Sequence, residues 1–270
     1  MLVVGNYCHD VLVHGPGRET HALGGSSAYI SSVLDAVGVD YAVVSVAGED
    51  FRYGNQVRHA PRIAPGSRTT QFTADFTQGE RVLSVGARGA PILPEFISEE
   101  ARVALACGVV DELLPETLVR LSERVEQVVA DAQGLLRITD ARGRVLHRRL
   151  EETPYASLLD RIQVLKASEE EALSLDVERV RRKTCLVITR GGRGSTVLTA
   201  SRSFEVPALP VDEVDPTGAG DCFLAGFALG LLRGLALPRC AELANWFGAQ
   251  AVTQVGVPRL DLSLLPVALR

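Results

Sequence analysis

Short apolar runs alternate with helix-period segments along most of the chain. Leu2-Val3-Val4 is continuously apolar and stops at Gly5, the pattern of a strand buried on both faces. Gly24-Gly25 leads into residues 26–37, which carry apolar positions at helical spacing and are closed by Gly38. Residues 41–46 predict the next strand, ending at Ala47-Gly48-Glu49-Asp50. The rhythm then changes. Residues 69–76 and 81–85 alternate polar with apolar and are joined by Thr77-Gln78-Gly79-Glu80, a half-exposed hairpin pattern that reads as a lid or a small added sheet. Strands follow at 103–107, 127–131, 162–166 and 184–189, with a helix at 115–126 between the first two. Ser168-Glu169-Glu170-Glu171 carries a capping-box pattern that opens a helix. Two short strands near 195–199 and 203–206 precede helices at about 219–233 and 238–254.

Strands alternating with helices imply an α/β fold with three layers, helices covering both faces of a mostly parallel central sheet. Ligands in such folds sit beyond the carboxyl ends of the strands. The 270 residues suffice for one large domain with a good core, so residues 1–270 read as a single unit with lid segments near 11–22 and 69–86.

Charge and composition exclude more than they assign. A net charge of −5 with acids and bases interspersed lacks the clustered basic face of a nucleic-acid binder. The five cysteines are scattered, with no C-x-x-C pair, which argues against zinc and against a disulfide framework and makes reduced cytoplasmic thiols the expectation. The start Met1-Leu2-Val3-Val4 has no basic flank of a secretory signal. The most apolar late run, residues 223–237, is broken by Arg233 and too short for a bilayer, so no membrane partner is expected.

The densest chemistry lies at Asp215-Pro216-Thr217-Gly218-Ala219-Gly220-Asp221, immediately before an apolar helical pattern. Pro216 fixes φ just ahead of the turn. Gly218, Ala219 and Gly220 have little or no side chain, so their N–H groups can crowd one point, and the helix that opens there adds free N–H groups and the positive end of its dipole. That construction suits a phosphate. Asp221 beside it suits proton removal from an attacking alcohol. A plain helix N-cap by Asp is the structural alternative. Cys222 at the helix start could be an activated thiol or, more simply, a small buried residue.

This segment resembles the C-terminal signature D-T-x-G-A-G-D of the PfkB (ribokinase-like) family of sugar and nucleoside kinases, with Pro216 where the family has Thr. The resemblance runs from the first strand to the last helix. Within the family, Val4-Gly5-Asn6-Tyr7-Cys8-His9-Asp10-Val11-Leu12, Leu165-Lys166-Ala167-Ser168 and Gln254-Val255-Gly256-Val257-Pro258 are similar to the plant-type myo-inositol 3-kinases. It implies a ribokinase-like fold and ATP-dependent phosphorylation of a small polyol, myo-inositol at its 3-hydroxyl first. A furanose sugar or nucleoside acceptor is the alternative, and a catalytically silent relative a third.

The resemblance also assigns roles. Asp10, Gly24 and Gly25 become acceptor-binding residues; Asp50, after Gly48, could line the acceptor pocket too or equally lie at the surface. Gly218, Ala219 and Gly220 become the anion hole and Asp221 the general base. Thr189, Gly191, Gly194 and Thr217 fall where the family contacts the nucleotide, and Ser168 and Glu171 where it organises Mg²⁺ through water near the phosphates; Asn245 on the last helix could flank the adenine. Asp215, with Gly256, is the family's place for a monovalent cation such as K⁺. Tyr29 and Ser26 stand where the family often has Asn and, in ribokinases, Lys, which argues against ribose. Lys166 could meet a phosphate or face solvent, and Tyr7, Tyr29 and Phe72 are the candidates for an aromatic shelf. An exposed lid could pair with its twin in a homodimer.

Overall fold

The computed structural model describes residues 1–77 and 82–269. Its main sheet has eight strands, in the order Ser203–Val206, Ser195–Leu198, Cys185–Thr189, Val164–Ser168, Val125–Asp131, Ala101–Ala106, Leu2–Val4 and Ala42–Val44. The six strands from Cys185–Thr189 to Ala42–Val44 run parallel, and the two at the other edge are antiparallel.

Alternation along the strands builds the three layers. Leu2 and Val4 belong to one buried apolar cluster and Val3 to another, and Ala104 and Ala106 alternate with Val103 and Leu105 in the same way. Successive side chains leave opposite faces, so an uninterrupted apolar strand supplies both cores. On one face lie the helices Ser26–Val37, Ala219–Leu232 and Leu237–Ala251. The other face is covered by Pro115–Ser122 and the segment around Leu150, Tyr155, Leu159 and Val180. Among the described residues, no helix is long and apolar enough to cross a membrane.

Several expected boundaries shift. The helix expected at 115–126 stops at Ser122, because the next segment is taken by strand pairing: Val125 pairs with Ala101. The helix opened by the capping box is a single turn, Glu169–Ala172. The strand expected at 41–46 breaks after Val44, where Asn6 Oδ1 accepts from the Val46 N–H (2.7 Å) and redirects Val46–Gly48 to pair with Arg62–Ala64.

The lid is larger than a hairpin. Gln71–Asp75 and Val82–Ala87 pair antiparallel as expected, but Cys8–Val13 pairs with Gln71–Asp75 on one side and with Glu19–Gly24 on the other. The result is a four-stranded sheet. Of the expected turn, residues 78–80 lie outside the described residues.

Candidate active site

The helix Ala219–Leu232 begins at Gly218, whose φ of 78° is left-handed and whose missing Cβ would fall 1.9 Å from the Tyr29 ring. Only glycine fits there. No side chain caps this helix. The Ala219 N–H turns back to the Pro216 carbonyl (3.3 Å), so the unpartnered donors of the turn, among the described residues, are the N–H groups of Gly218 and Gly220 rather than all three expected. Thr217 is held through its N–H by Asp215 Oδ1 (2.9 Å), and the other Asp215 oxygen accepts from Gly256 (3.3 Å). Asp215 is thereby the brace of the turn, with both oxygens engaged.

Two cavities meet at this turn, sharing Pro216 and Gly220 as their common wall. The first, about 250 Å³, is polar. Asp221 lies in it, together with Asp10 from the added sheet, Glu171 from the one-turn helix and Ser168, which caps that helix. Gly25, Ser26, Thr217 and Gly218 complete this side, and Tyr29 and Phe72 add aromatic surface. Gly24 sits behind Asp10: a Cβ on it would lie 2.0 Å from the Asp10 carboxylate. The second cavity, about 460 Å³, has apolar walls from Leu209, Val211, Phe223, Ala249 and Val252. Thr189, Gly191, Gly194 and Asn245 also line it, and the Asn245 amide donates to the Val206 and Pro207 carbonyls (3.2 and 3.0 Å).

Asp50 is the expected acceptor residue that the fold takes elsewhere. It lines neither cavity; its carboxylate accepts from the Thr69 N–H (2.7 Å) and lies 3.7 Å from Arg68. Tyr7 likewise leaves the shelf and packs beside Phe51. Cys222 is fully buried.

Burial pushes the Asp221 carboxyl up to about 6, with the nearby Asp131 charge adding to the rise and Lys166, Ser26 and Arg137 opposing it. Asp221 Oδ1 is buried without a hydrogen-bond partner among the described residues. A carboxylate tuned toward neutrality and missing a partner is what a general base needs.

Lys166, which could have faced solvent, is buried and pairs with Asp131 at 2.9 Å. Asp131 and Lys166 are register partners at the carboxyl ends of adjacent parallel strands. Burial opposes the ammonium charge, but the Asp131 and Glu171 carboxylates outweigh it and hold Lys166 protonated, with its pKa pushed up to about 12. Its Nζ approaches to 2.8 Å of where a Cβ on Gly220 would be, so a fixed cation stands at the turn. Asp131 went unassigned in the sequence, although its place at a strand end marked it as a candidate. Gln133, Arg137 and His147 also line the polar cavity and carried no local signal.

The capping box is complete: the Ser168 N–H donates to Glu171 Oε2 (2.7 Å), and Ser168 Oγ accepts from the Glu171 N–H (3.2 Å). Burial acts against the Glu171 anion, but Lys166 and the Ser168 N–H outweigh it and hold the carboxyl below its usual range. Among the described residues no three His, Cys, Asp or Glu side chains form a metal cluster. Glu171 could serve an Mg²⁺ ion only from its outer sphere, the kind of place where an ion carried in by phosphates and water would suit.

Comparison with known proteins agrees with this geometry. The model of the pfkB family of carbohydrate kinases matches residues 131–261. The inositol 3-kinase of Arabidopsis thaliana is 41% identical over 98% of this chain and 77% of its own length. The inositol 3-kinase of Oryza sativa subsp. japonica is 44% identical over 98% of this chain and 71% of its own. Among solved structures, a pyrophosphate-dependent kinase of the ribokinase family, complexed with a pyrophosphate analogue and myo-inositol, superposes with a TM-score of 0.81 at 20% identity, covering 98% of this chain and 99% of that one. With two signature cavities joined at one glycine turn and relatives of this identity along almost its entire length, the chain belongs to the pfkB family of carbohydrate kinases.

Proposed function

We propose that the protein is an ATP-dependent kinase that phosphorylates a ring hydroxyl of a polyol, myo-inositol first among the candidates. One observation carries the reading: a polar cavity holding Asp10 and Asp221 and an apolar cavity of nucleotide size share a wall made of the glycine turn. An acceptor in the first and a nucleotide in the second would meet where the N–H donors point. Polar groups surround the first cavity on many sides, as a ring bearing only hydroxyls requires. The plant relatives act on inositol by their names, at more than 40% identity.

In this mechanism the terminal phosphate of ATP rests on the Gly218 and Gly220 N–H groups, with the Lys166 ammonium beside them. Asp10 accepts hydrogen bonds from acceptor hydroxyls and fixes which one faces the phosphate. Asp221 takes the proton of that hydroxyl as it attacks. Mg²⁺, when bound with the nucleotide, neutralises phosphate charge. Phosphoryl transfer asks chiefly for such positioning and charge stabilisation. The lid covers the acceptor and keeps water from competing as nucleophile.

Apolar walls beside the donor site favour a nucleotide over pyrophosphate, which offers nothing to bury against them. The test is phosphoryl transfer from Mg·ATP and, separately, from Mg·pyrophosphate to myo-inositol, ribose, fructose and adenosine, with product identified by NMR. Turnover of myo-inositol with ATP is expected. Preference for ribose or adenosine would overturn the acceptor, equal use of pyrophosphate the donor, and ATP binding without any turnover the enzyme reading.

A further inference from the structure

The polar cavity has a wall that belongs to neither large sheet. Strands Arg137–Thr139 and Val145–His147 form a separate antiparallel hairpin. Its register sets Arg137 directly across from His147, so both side chains leave the same face, and both line the cavity. The hairpin is joined to the lid edge: Ser84 bridges to Arg144, and the Val85 N–H donates to the Gly143 carbonyl (2.8 Å). Lid and hairpin therefore form one continuous enclosure.

His147 is the unexplained member. Its side chain is 18% exposed, and Nδ1 lies 3.8 Å from Glu170 Oε1, beyond hydrogen-bond length. Its Nε2 is buried and has no hydrogen-bond partner among the described residues. Buried polar atoms in native proteins are almost always partnered, and an exception calls for a ligand or a role. With Nε2 closed to the cavity, the ring nitrogen within reach is Nδ1, which has no hydrogen bond among the described residues either and lies beside Glu170 on the wall of the same cavity. A secondary hydroxyl supplies the partner that Nδ1 lacks.

We propose that His147 is a specificity-determining residue, its Nδ1 hydrogen-bonding one ring hydroxyl of the acceptor, so that the 137–147 hairpin selects the polyol. The inference rests on the polyol-kinase reading above. Asp10, on the lid sheet, and His147, on the hairpin, would then hold different hydroxyls, and the ring would have one orientation in which its reacting oxygen faces Asp221. Arg137 is left its electrostatic part, since its charge acts on Asp221 and Glu171.

The test is steady-state kinetics of the wild type, His147→Ala and His147→Gln with myo-inositol and its single-deoxy analogues at saturating Mg·ATP. His147→Ala should raise the acceptor KM by ~10–100-fold with the ATP KM unchanged, and Gln, which keeps a polar atom in reach, should recover most of the loss. One deoxy analogue should cost the wild type ~10–100-fold yet cost His147→Ala nothing further, while the others penalise both proteins alike. An unchanged acceptor KM, analogue losses equal in both proteins at every position, or ATP and acceptor KM rising together would overturn the proposal. If the Ala variant fails to fold, His147→Phe, which keeps a ring of similar size without a polar atom, is measured against the same analogues: loss of the penalty for one deoxy analogue supports the proposal, and the wild-type ranking overturns it. Absence of polyol turnover by the wild type would instead overturn the parent reading.

Discussion

Replacing Asp221 by Asn separates what this carboxylate does for chemistry from what it costs the fold. The rise of its pKa from 3.8 to about 6 corresponds to about 3 kcal/mol of unfavourable ionisation in the native state, since each unit is worth about 1.4 kcal/mol. The sign follows from proton counting. Between about pH 4 and 6 the folded protein holds a proton that the unfolded chain has lost, so stability falls as pH rises through that window, and the whole penalty is present above it. Asn carries no such penalty. Asp221→Asn should therefore be more stable than wild type by up to about 3 kcal/mol at pH 8, roughly 5–10 °C in Tm, with the gain vanishing near pH 4. The same variant should lose ~10²–10⁴-fold in kcat, the usual worth of general-base help, while ATP affinity stays close to wild type. Wild-type kcat/KM should fall below about pH 6 as Asp221 takes up its proton. Paired urea titrations at pH 4 and 8, with kcat measured on the same preparations, check all of this. Wild-type turnover in the Asn variant removes Asp221 from the mechanism; an unchanged stability at pH 8 removes the burial argument even if activity is lost.

Lys166→Met should leave Asp131 buried without its cation, costing about 3–5 kcal/mol by urea unfolding. The double variant Lys166→Met/Asp131→Asn should regain most of that stability and none of the kcat, and Lys166→Met alone should move the acid limb of kcat/KM to higher pH, because Lys166 holds the Asp221 pKa down. Ala249→Phe fills the apolar cavity and should raise the ATP KM roughly tenfold or more with the acceptor KM unmoved; a silent variant would point to a donor without a base. Gly218→Ala forces a Cβ onto the Tyr29 ring at a left-handed φ and should cost at least about 2 kcal/mol in denaturant unfolding.

Local signals account for the elements that were legible in the sequence. The helix over 26–37 is bounded by glycines and the signature helix by its glycine turn, and both stand where expected, as does the short strand near 203–206. Only the broad places of the lid were legible. Cys8–Val13 alternates too weakly for its two partners to be read, and those partners are close in space but separated along the chain by about fifty residues. The site divides in the same way. Residues in a turn with its own backbone logic, such as Gly218 and Asp221, could be named. Asp50 could not be excluded, because its sequence context resembles that of a cavity residue, and only the fold shows one of its oxygens accepting from the Thr69 N–H and the other turned toward Arg68, away from both cavities. Asp131 and Lys166 become a pair only through strand register, and Arg137 and His147 only through the pairing of a hairpin whose turn signal, Asp140 with Gly143 three residues on, does not say which side chains face a cavity.

That register has a consequence for how the site handles charge. Asp131 ends its strand and Lys166 lies opposite it, two residues before the end of the adjacent parallel strand, so side chains 35 residues apart are fixed by the central sheet. A lysine free to swing could reach the Asp221 carboxylate, neutralise it and depress its pKa. Held by Asp131 instead, the ammonium is directed to the glycine turn, and Asp131's own negative charge pushes Asp221 up rather than down. The same ion pair thus supplies a cation at the expected phosphate position and keeps the neighbouring base weakly acidic enough to accept a proton near pH 6. Replacing Asp131 by Asn, with Lys166 retained, should lower the Asp221 pKa and shift the acid limb of kcat/KM to lower pH, opposite in sign to Lys166→Met. Shifts of the same sign in both variants would mean that the limb reports general damage to the fold and not the field of these two charges on the base.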